Sequence, residues 1–250
     1  MEMTFVKRMI GLSSIFLLVL GGSCKNQDKG NSESSAAEIN DEEGWEVLFD
    51  GQSFDGWHTY LKDTISDQWQ IREGAMAYIP HEDKAQGINN LLTDKSYSSF
   101  ELSLEWALSA DGNSGVFYGI DENEKYPVPY MTAPEIQIRD YSSQPDYDNR
   151  KQMPGAIFGL YGTNEDHQKK AGEWNHFFIK IDRQNNLGTV ALNGVEVVRY
   201  PLSGAQWDAQ VKDSGFKDWL GFGKTVEGPI GLQDHGSEVW FRNIKIRELN

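Results

Sequence analysis

The feature that most constrains this chain is the alternation of apolar and polar residues over short runs. In Phe100–Leu108, which reads FELSLEWAL, every second residue is large and apolar, as in a strand with one buried face. Helical patterns are confined to short turns at 167–172 and 206–213. Further strand-like runs, each bounded by Gly, Pro, Asn or Asp, are SGVFYGI, EIQIRD, GAIFGLY and WNHFFIKID. We therefore expect an all-β sandwich of two antiparallel sheets with few short helices.

Two local signals add detail to this expectation. Asn193-Gly194 lies between β-branched runs, which predicts a hairpin with a type I′ turn. In the last apolar run, 239–249, the alternation changes phase. The change predicts a β-bulge near 242–243, where one strand carries an extra residue.

The first 43 residues have the composition of targeting and linker segments. Lys7 and Arg8 precede an apolar stretch that ends at Leu20, long enough for a secretory signal and too short for a membrane span. LVLGGSC then ends at Cys24 and resembles the lipobox of bacterial lipoproteins. The resemblance implies cleavage before Cys24 and attachment of a lipid to its sulfur. The alternative is ordinary signal-peptidase cleavage nearby.

This processing predicts three segments. Residues 1–23 form a lipoprotein signal peptide, 24–43 a flexible polar tether from the lipidated Cys24, and 44–250 a single domain. We expect a bacterial cell-envelope location, with the membrane as a partner through the anchor. Lys25 stands where some inner-membrane lipoproteins carry aspartate. This favours the outer membrane, on its periplasmic or surface face.

Charge and cysteine content narrow the partners. The formal net charge is −15, and loss of residues 1–23 leaves −16, so we expect no nucleic-acid partner. Because Cys24 is the only cysteine, the mature domain must depend on a hydrophobic core rather than on disulfides. The eight tryptophans and ten tyrosines suit such a core, and they also suit a carbohydrate partner that stacks on aromatic rings.

Several motifs, taken in order, resemble those of the 3-keto-disaccharide hydrolase domain family. They include WEVLFDGQSFDGW at 45–57, NSGVFYGI at 113–120, EIQIRD at 135–140 and GPIGLQDHGSEVWFRNIKIREL at 228–249. The resemblance implies a concanavalin-A-like jelly roll. It also implies cleavage of glycosides whose C3 hydroxyl has been oxidised to a ketone. Some members act as lyases, so hydrolysis and elimination both remain open.

The motif EIQIRD places three polar side chains on one face of a strand. Glu135, Gln137 and Arg139 alternate with two isoleucines, and Asp140 follows at the expected strand end. Such a row lies either on an open outer face or along a wet cleft. We favour the cleft, because a carboxylate, an amide and a guanidinium in one row suit the recognition of a sugar.

The closing motif GLQDHG is read in the same way. Alternation places Gln233 and His235 on the cleft side and turns Asp234 toward the backbone or core. The alternative is that His235 only caps a turn. Our hypothesis is that Glu135 and His235 converge in one cleft as the catalytic residues.

A C3 ketone makes the hydrogen on C2 acidic, so cleavage by elimination needs a base, an oxyanion stabiliser and an acid. Either Glu135 or His235 would be the base, and Arg139, Gln137 or a metal ion would hold the enolate oxygen. The acid would be the remaining member of the Glu–His pair, or Asp140.

Further substrate contacts are expected outside this row. Asn113 and Tyr118 are candidates for contacts with sugar hydroxyls, and Tyr130 and Tyr147 for stacking on a sugar ring. Direct hydrolysis with two carboxylates is a competing scheme, but no second acid is identified for it.

The cofactor is left open. Glu135, Asp140 and His235 would supply oxygen and nitrogen ligands for a divalent ion, and jelly rolls of this type can also carry structural calcium. The chain has no His-Glu-x-x-His motif and no EF-hand spacing. Two other functions also stay open. A carbohydrate-binding module on the same sandwich would lack an acid–base pair, and an envelope scaffold would lack converging polar groups.

Overall fold

A computed structural model describes residues 44–81, 89–144 and 146–249. The predicted signal peptide and tether lie outside the described residues. The strands are β1 (Glu46–Val47), β2 (Trp57–Thr59), β3 (Trp69–Arg72), β4 (Ala75–Tyr78), β5 (Leu91–Tyr97), β6 (Phe100–Leu108), β7 (Asn113–Phe117), β8 (Glu135–Arg139), β9 (Asn175–Asp182), β10 (Leu187–Leu192), β11 (Val195–Tyr200), β12 (Gly228–Leu232) and β13 (Val239–Glu248). The helix α1 spans Ala205–Lys212, and short 3-10 turns span Pro129–Met131 and Arg150–Gln152. No helix in these described ranges is long and apolar enough to cross a membrane.

The strands form two antiparallel sheets, which confirms the predicted sandwich. The larger sheet has eight strands in the order β11-β10-β9-β6-β13-β4-β3, with β1 paired to β13. The smaller sheet has five strands in the order β2-β5-β12-β7-β8. Its neighbours β12 and β7 are more than a hundred residues apart in the sequence, so these two strands meet only in the complete fold.

The core lies between the sheets and is built by the predicted alternation. In β6, the five residues from Phe100 to Leu108 at alternate positions are fully buried and belong to the main apolar cluster. Ile136 and Ile138 of β8 enter the same cluster from the smaller sheet. A second, smaller cluster contains Phe117 and Leu92. Burial of this much apolar surface stabilises the domain without any disulfide.

Both local strand predictions are confirmed. Asn193 and Gly194 join β10 to β11 with φ angles of 51° and 87°, as a type I′ turn requires at both central residues. The pairing of β13 with β6 shifts register between Arg242 and Lys245, and Asn243 has a φ of 51° there. The bulge keeps apolar side chains on the core face along both halves of β13.

Two local predictions were wrong. Residues 167–172 form no helical turn, whereas α1 lies where the second turn was expected. GAIFGLY is not a regular strand, because Gly155 and Gly159 have φ angles of 86° and 71° and turn the chain. The segment nevertheless covers the free edge of β8: Gly155 N donates to Gln137 O at 2.8 Å, and Phe158 N donates to Glu135 O at 2.9 Å.

Candidate active site

The candidate site begins on β8, which is an edge strand of the five-stranded sheet. Ile136 and Ile138 point into the core and are fully buried. Alternation therefore turns Glu135, Gln137 and Arg139 to the opposite face, where all three line one cavity. The polar row of EIQIRD thus lies along a cleft.

The closing motif reaches the same cleft after β12 ends. Gln233 and His235 line the cavity, whereas Asp234 is fully buried between them. Asp234 N donates to Asn90 Oδ1, and Asp234 Oδ2 accepts from Asn89 N, each at 3.2 Å. Alternation therefore divides the three polar residues as expected, with the aspartate tying the segment to the neighbouring loop.

The cavity has a volume of about 340 Å³, and two kinds of surface line it. We call the first the polar floor; it consists of Asn113, Glu135, Gln137, Arg139, Gln233 and His235. We call the second the aromatic wall; it consists of Tyr130, Phe158, Phe216 and Trp219. Gln152 completes the lining. A concave site with a few convergent polar groups and an apolar side is typical of ligand-binding sites.

Gly115 on β7 leaves the space in which the centre of the polar floor is assembled. It pairs with Gln137 on one side, and its carbonyl accepts from Gln233 N at 2.9 Å on the other. A Cβ atom at this position would lie 2.6 Å from Glu135 Oε1. The missing side chain therefore lets the Glu135 carboxyl lie over the strand and meet the Gln233 side chain.

Burial changes the protonation of Glu135. Desolvation raises the pKa of this carboxyl from 4.5 to about 8, and a hydrogen bond from the Gln233 side chain opposes the increase only in part. At neutral pH the carboxyl therefore carries its proton. Glu135 is suited to donate a proton to a ligand and to accept one only in more alkaline solution.

The pKa of His235 is lowered, whereas that of Glu135 is raised. Burial lowers the pKa of His235 below the ordinary value of 6.5, and the positive charge of Arg139 lowers it further, although a hydrogen bond with its own backbone opposes this. The imidazole is therefore neutral at pH 7 and has a lone pair available. A neutral imidazole and a protonated carboxyl in one cleft form an acid–base pair.

Several buried polar atoms of the floor have no protein partner. Gln137 Nε2 donates to Asn113 Oδ1 at 3.3 Å, but Gln137 Oε1, Arg139 Nε and Gln233 Oε1 find no hydrogen-bond partner in the described part of the chain. Leaving such atoms unpaired is costly unless a ligand or water satisfies them. These two acceptors and one donor suit a ligand rich in hydroxyl or carbonyl groups.

Tyr118 does not belong to the site, which corrects the sequence prediction. The residue is buried in the sandwich, where its hydroxyl lies 2.9 Å from that of Tyr200. Asn113 and Tyr118 are separated by an odd number of positions, so alternation turns them to opposite faces. Only Asn113 lines the cavity.

Asp140 is also placed elsewhere. It is buried, and its carboxylate accepts from Asp111 N and from the Ser142 hydroxyl, each at 2.8 Å. It lines a separate cavity of about 270 Å³ together with Tyr147, which stacks on Tyr141 at a centroid distance of 4.0 Å. Asp140 thus stabilises a turn after β8, and Tyr147 lies outside the cavity that holds the polar floor.

The placement of Asp140 also bears on the metal hypothesis. Because Asp140 points away from the cleft, no described residue of the cavity lining adds a third carboxylate or imidazole to Glu135 and His235. Among residues 44–81, 89–144 and 146–249, no group of three or more His, Cys, Asp or Glu is arranged to hold an ion. The residues that would have formed the divalent site are therefore not assembled.

The aromatic wall was largely missed at the level of sequence. Tyr130 was a stacking candidate and lines the cavity, but Phe158, Phe216 and Trp219 were not foreseen. Phe158 comes from one connecting segment and the other two from a second, and these segments meet only in the folded chain. The local signal for the last two is the run GFKDWLGF after α1, in which aromatic residues recur at every third position, Phe216, Trp219 and Phe222.

Comparison with known proteins identifies relatives of nearly the whole described domain. The family model of 3-keto-alpha-glucoside-1,2-lyase-like domains matches residues 44–247. A 3-keto-disaccharide hydrolase of Bacteroides thetaiotaomicron is 32% identical over 237 residues, covering 84% of this chain and 80% of that protein.

Solved structures share the fold. A Parabacteroides distasonis protein described as a candidate glycosyl hydrolase has a TM-score of 0.74 at 25% identity, covering 83% of this chain and 95% of its own. A second protein from the same organism with the same description has a TM-score of 0.60 at 28% identity, covering 82% and 99%.

Proposed function

The chain belongs to the family of 3-keto-alpha-glucoside-1,2-lyase-like domains, and from this premise we propose that it cleaves 3-keto-glycosides by acid–base chemistry. The observation that carries the proposal is the pair formed by Glu135 and His235. The two share one cavity, and burial leaves the first protonated and the second neutral at pH 7. The substrates are 3-keto-disaccharides or other 3-keto-glucosides, and the unpaired atoms of the polar floor bind the oxidised ring.

The opposite pKa shifts support a different role for each residue. Neutral His235 takes the proton from C2, and the electron pair of that C–H bond moves to form an enolate with the C3 carbonyl. Arg139, which lies close enough to His235 to lower its pKa, donates to the enolate oxygen and balances its charge. In this state His235 is protonated, and the negative charge resides on the sugar.

Glu135 completes the cleavage. The C3 carbonyl re-forms, the electron pair moves to a C1–C2 double bond, and the C1–O bond to the leaving group breaks while Glu135 donates its proton to that oxygen. Water then adds across the double bond. The Glu135 carboxylate accepts a proton as hydroxide adds to C1, and His235 returns a proton to C2, so both residues are restored. The net reaction is hydrolysis.

The alternatives fit the site less well. Direct hydrolysis with two carboxylates needs a second acidic residue across the sugar, and Glu135 is the only carboxylate among the described residues that line this cavity. A carbohydrate-binding module has no need for a carboxyl whose pKa is raised to about 8. The acid–base pair is thus what favours an enzyme over a binding module.

The proposal is tested with the purified mature domain and a 3-keto-disaccharide in deuterated water, followed by NMR. We expect release of the free sugar and incorporation of deuterium at C2 of the 3-keto product beyond that seen without enzyme. Sugar release without C2 labelling would support direct hydrolysis in place of elimination. Binding without any release would instead support the carbohydrate-binding module.

We also propose that the domain is anchored in the bacterial cell envelope by a lipid on Cys24, on the basis of the lipobox-like sequence. Replacing Cys24 with Ala should move the protein from the membrane fraction to the soluble envelope fraction and abolish labelling by a radioactive fatty acid. Retention of the variant in the membrane fraction would contradict the anchor.

A further inference from the structure

The aromatic wall leaves apolar rings open to the cavity. Tyr130 is 36% exposed, and Phe158, Phe216 and Trp219 are half-buried, although most aromatic residues of the domain are buried in the core. The rings contact one another in series. The distance between ring centroids is 5.8 Å for Tyr130 and Trp219, 5.3 Å for Trp219 and Phe216, and 6.4 Å for Phe216 and Phe158. Apolar surface held open in a cleft usually serves a ligand.

The wall lies at a defined end of the polar floor. Phe158 N donates to the Glu135 carbonyl, and Tyr130 precedes Glu135 by only five residues. Arg139 lies at the other end of β8, about 13 Å away along the strand, and its charge acts on His235 there. Glu135 therefore lies between the wall and the rest of the floor.

This order fixes how a substrate must lie. The C2 proton has to face His235, so the oxidised ring occupies the floor on the Arg139 side. The leaving oxygen on C1 has to face Glu135, which places the group attached to that oxygen over the wall. Under the proposed mechanism, the cleft is therefore divided into a ring-binding part and a leaving-group part.

The polar atoms of the wall are few. Its side chains supply only the Tyr130 hydroxyl and the Trp219 indole N–H, whereas Phe158 and Phe216 supply none. A second sugar can stack its C–H face on such rings, but it also brings several hydroxyls to this surface, and each hydroxyl that loses water without gaining a partner weakens binding. A flat apolar ring has no such cost and gains from stacking.

We propose that the aromatic wall is the leaving-group subsite and that it selects an aryl aglycone over a second sugar. The proposal rests on the proposed function, since it assumes that the oxidised ring lies on the polar floor. It names the substrate class as aryl 3-keto-glucosides and adds Tyr130, Phe158, Phe216 and Trp219 as specificity-determining residues.

The kinetic test uses three 3-keto-glucosides of one anomeric configuration, with methyl, phenyl and glucosyl leaving groups. Trp219→Leu and Tyr130→Leu are compared with the wild type. For each substrate the ratio of variant to wild-type kcat/KM is measured, so that differences in intrinsic leaving-group reactivity cancel. We expect each variant to lose about threefold to tenfold on the phenyl substrate, since a stacked pair contributes about 0.5–1.5 kcal/mol. The methyl substrate should change less than about twofold.

The matched control is Trp174→Leu. The Trp174 ring centroid lies 3.9 Å from Arg242 Cζ, and the residue lies outside this cavity. The ratio of variant to wild-type kcat/KM should therefore be the same for all three substrates. Equal losses on all three substrates in the wall variants would overturn the proposal, because the wall would then only support the site. A larger loss on the glucosyl than on the phenyl substrate would assign the wall to a sugar and also overturn it.

A binding measurement keeps the proposal separate from the cleavage chemistry. Unoxidised phenyl glucoside, methyl glucoside and a disaccharide are titrated by calorimetry into the wild type and the two wall variants. We expect the phenyl compound to bind most tightly and to lose that advantage in Trp219→Leu and Tyr130→Leu. If the wild type cleaves no 3-keto-glucoside, the proposed function fails, and this measurement still decides whether the wall binds an aryl group. Equal affinity for all three compounds would refute it.

Discussion

Strands β6 and β8 each carry a row of polar side chains on one face and apolar side chains on the other. The two polar rows differ in whether their side chains find partners within the protein. On β6, Glu105 Oε2 accepts from Arg242 Nε at 2.6 Å, and Glu101 is bound by Arg247. These carboxylates find cationic partners on β13, the neighbouring strand. The β6 row is thus a set of cross-strand pairs that stabilises the larger sheet.

The β8 row is left incomplete by comparison. Gln137 Oε1 and Arg139 Nε are buried, and neither has a hydrogen-bond partner among the described residues, while Glu135 has a raised pKa in place of a salt bridge. The two rows have the same period and similar residue types. What distinguishes a structural row from a binding row is therefore the set of partners across the sheet.

The largest effect on turnover is expected when a proton-transfer group of the polar floor is removed. Glu135→Gln and His235→Ala should each lower turnover of a 3-keto-glucoside by at least about a hundredfold, the range for general acid–base groups. Glu105→Gln, the matched change on β6, should leave turnover nearly unchanged. Steady-state kinetics on the three variants checks this. Loss of binding alone, with kcat retained, would demote Glu135 or His235 to a positioning role.

The next effect concerns the space that Gly115 leaves. Gly115→Ala would place a Cβ atom 2.6 Å from Glu135 Oε1 and must displace the carboxyl. Because small displacements of catalytic groups cost up to about a hundredfold, we expect kcat to fall by about tenfold to a hundredfold. The melting temperature, measured alongside, should change little. An unchanged kcat would show that the position of this carboxyl is not critical.

A smaller and graded effect is expected from pH. The proposed reaction needs protonated Glu135 and neutral His235, so kcat/KM should fall about tenfold per pH unit above the Glu135 pKa of about 8. The plateau should extend below pH 6.5, because the His235 pKa is lowered. A pH profile of Glu135→Gln should lack the alkaline decrease. Persistence of that decrease would reassign the acid.

The remaining effect is on folding stability and not on rate, and here the two rows should respond with opposite signs. The folded-state pKa of Glu135, about 8, lies above its unfolded value, so its stabilising contribution is complete below about pH 4.5 and is lost as the pH rises through 8. Glu135→Gln avoids this loss and should stabilise the domain at pH 9 by about 2–4 kcal/mol.

Glu101→Gln should destabilise the domain by about 1–3 kcal/mol, because it breaks partly buried ion pairs with Arg247 and Lys180. Urea denaturation at pH 6 and pH 9 measures both changes. The same sign for the two substitutions at pH 9 would remove the distinction between the rows.

The fold was largely predictable because its signals are local. Phe100–Leu108 shows its buried face in the sequence, and Asn193-Gly194 has the backbone preferences of its turn. The strand prediction for GAIFGLY was wrong for a local reason too. Its apolar residues are typical of a strand, but Gly155 and Gly159 adopt the positive φ angles of a turn.

The site was predictable only for residues that lie on a strand or directly follow one. Alternation located Glu135, Gln137, Gln233 and His235 correctly on the cleft side, whereas the same rule applied to Tyr118 would have excluded it. The pKa values depend on burial, which is a property of the complete fold. The aromatic wall depends on how loops distant in sequence come together, and no periodicity reports that.

The division between floor and wall bears on how such enzymes diversify. Four floor residues lie on β7 and β8, within the sheets, whereas Tyr130, Phe158, Phe216 and Trp219 lie on connecting segments. Loops tolerate substitution and insertion far better than paired strands do. New substrates could thus be acquired by exchanging loop residues while the chemistry at C2 and C1 is inherited unchanged, so substrate range and reaction type can evolve at different rates in one small domain.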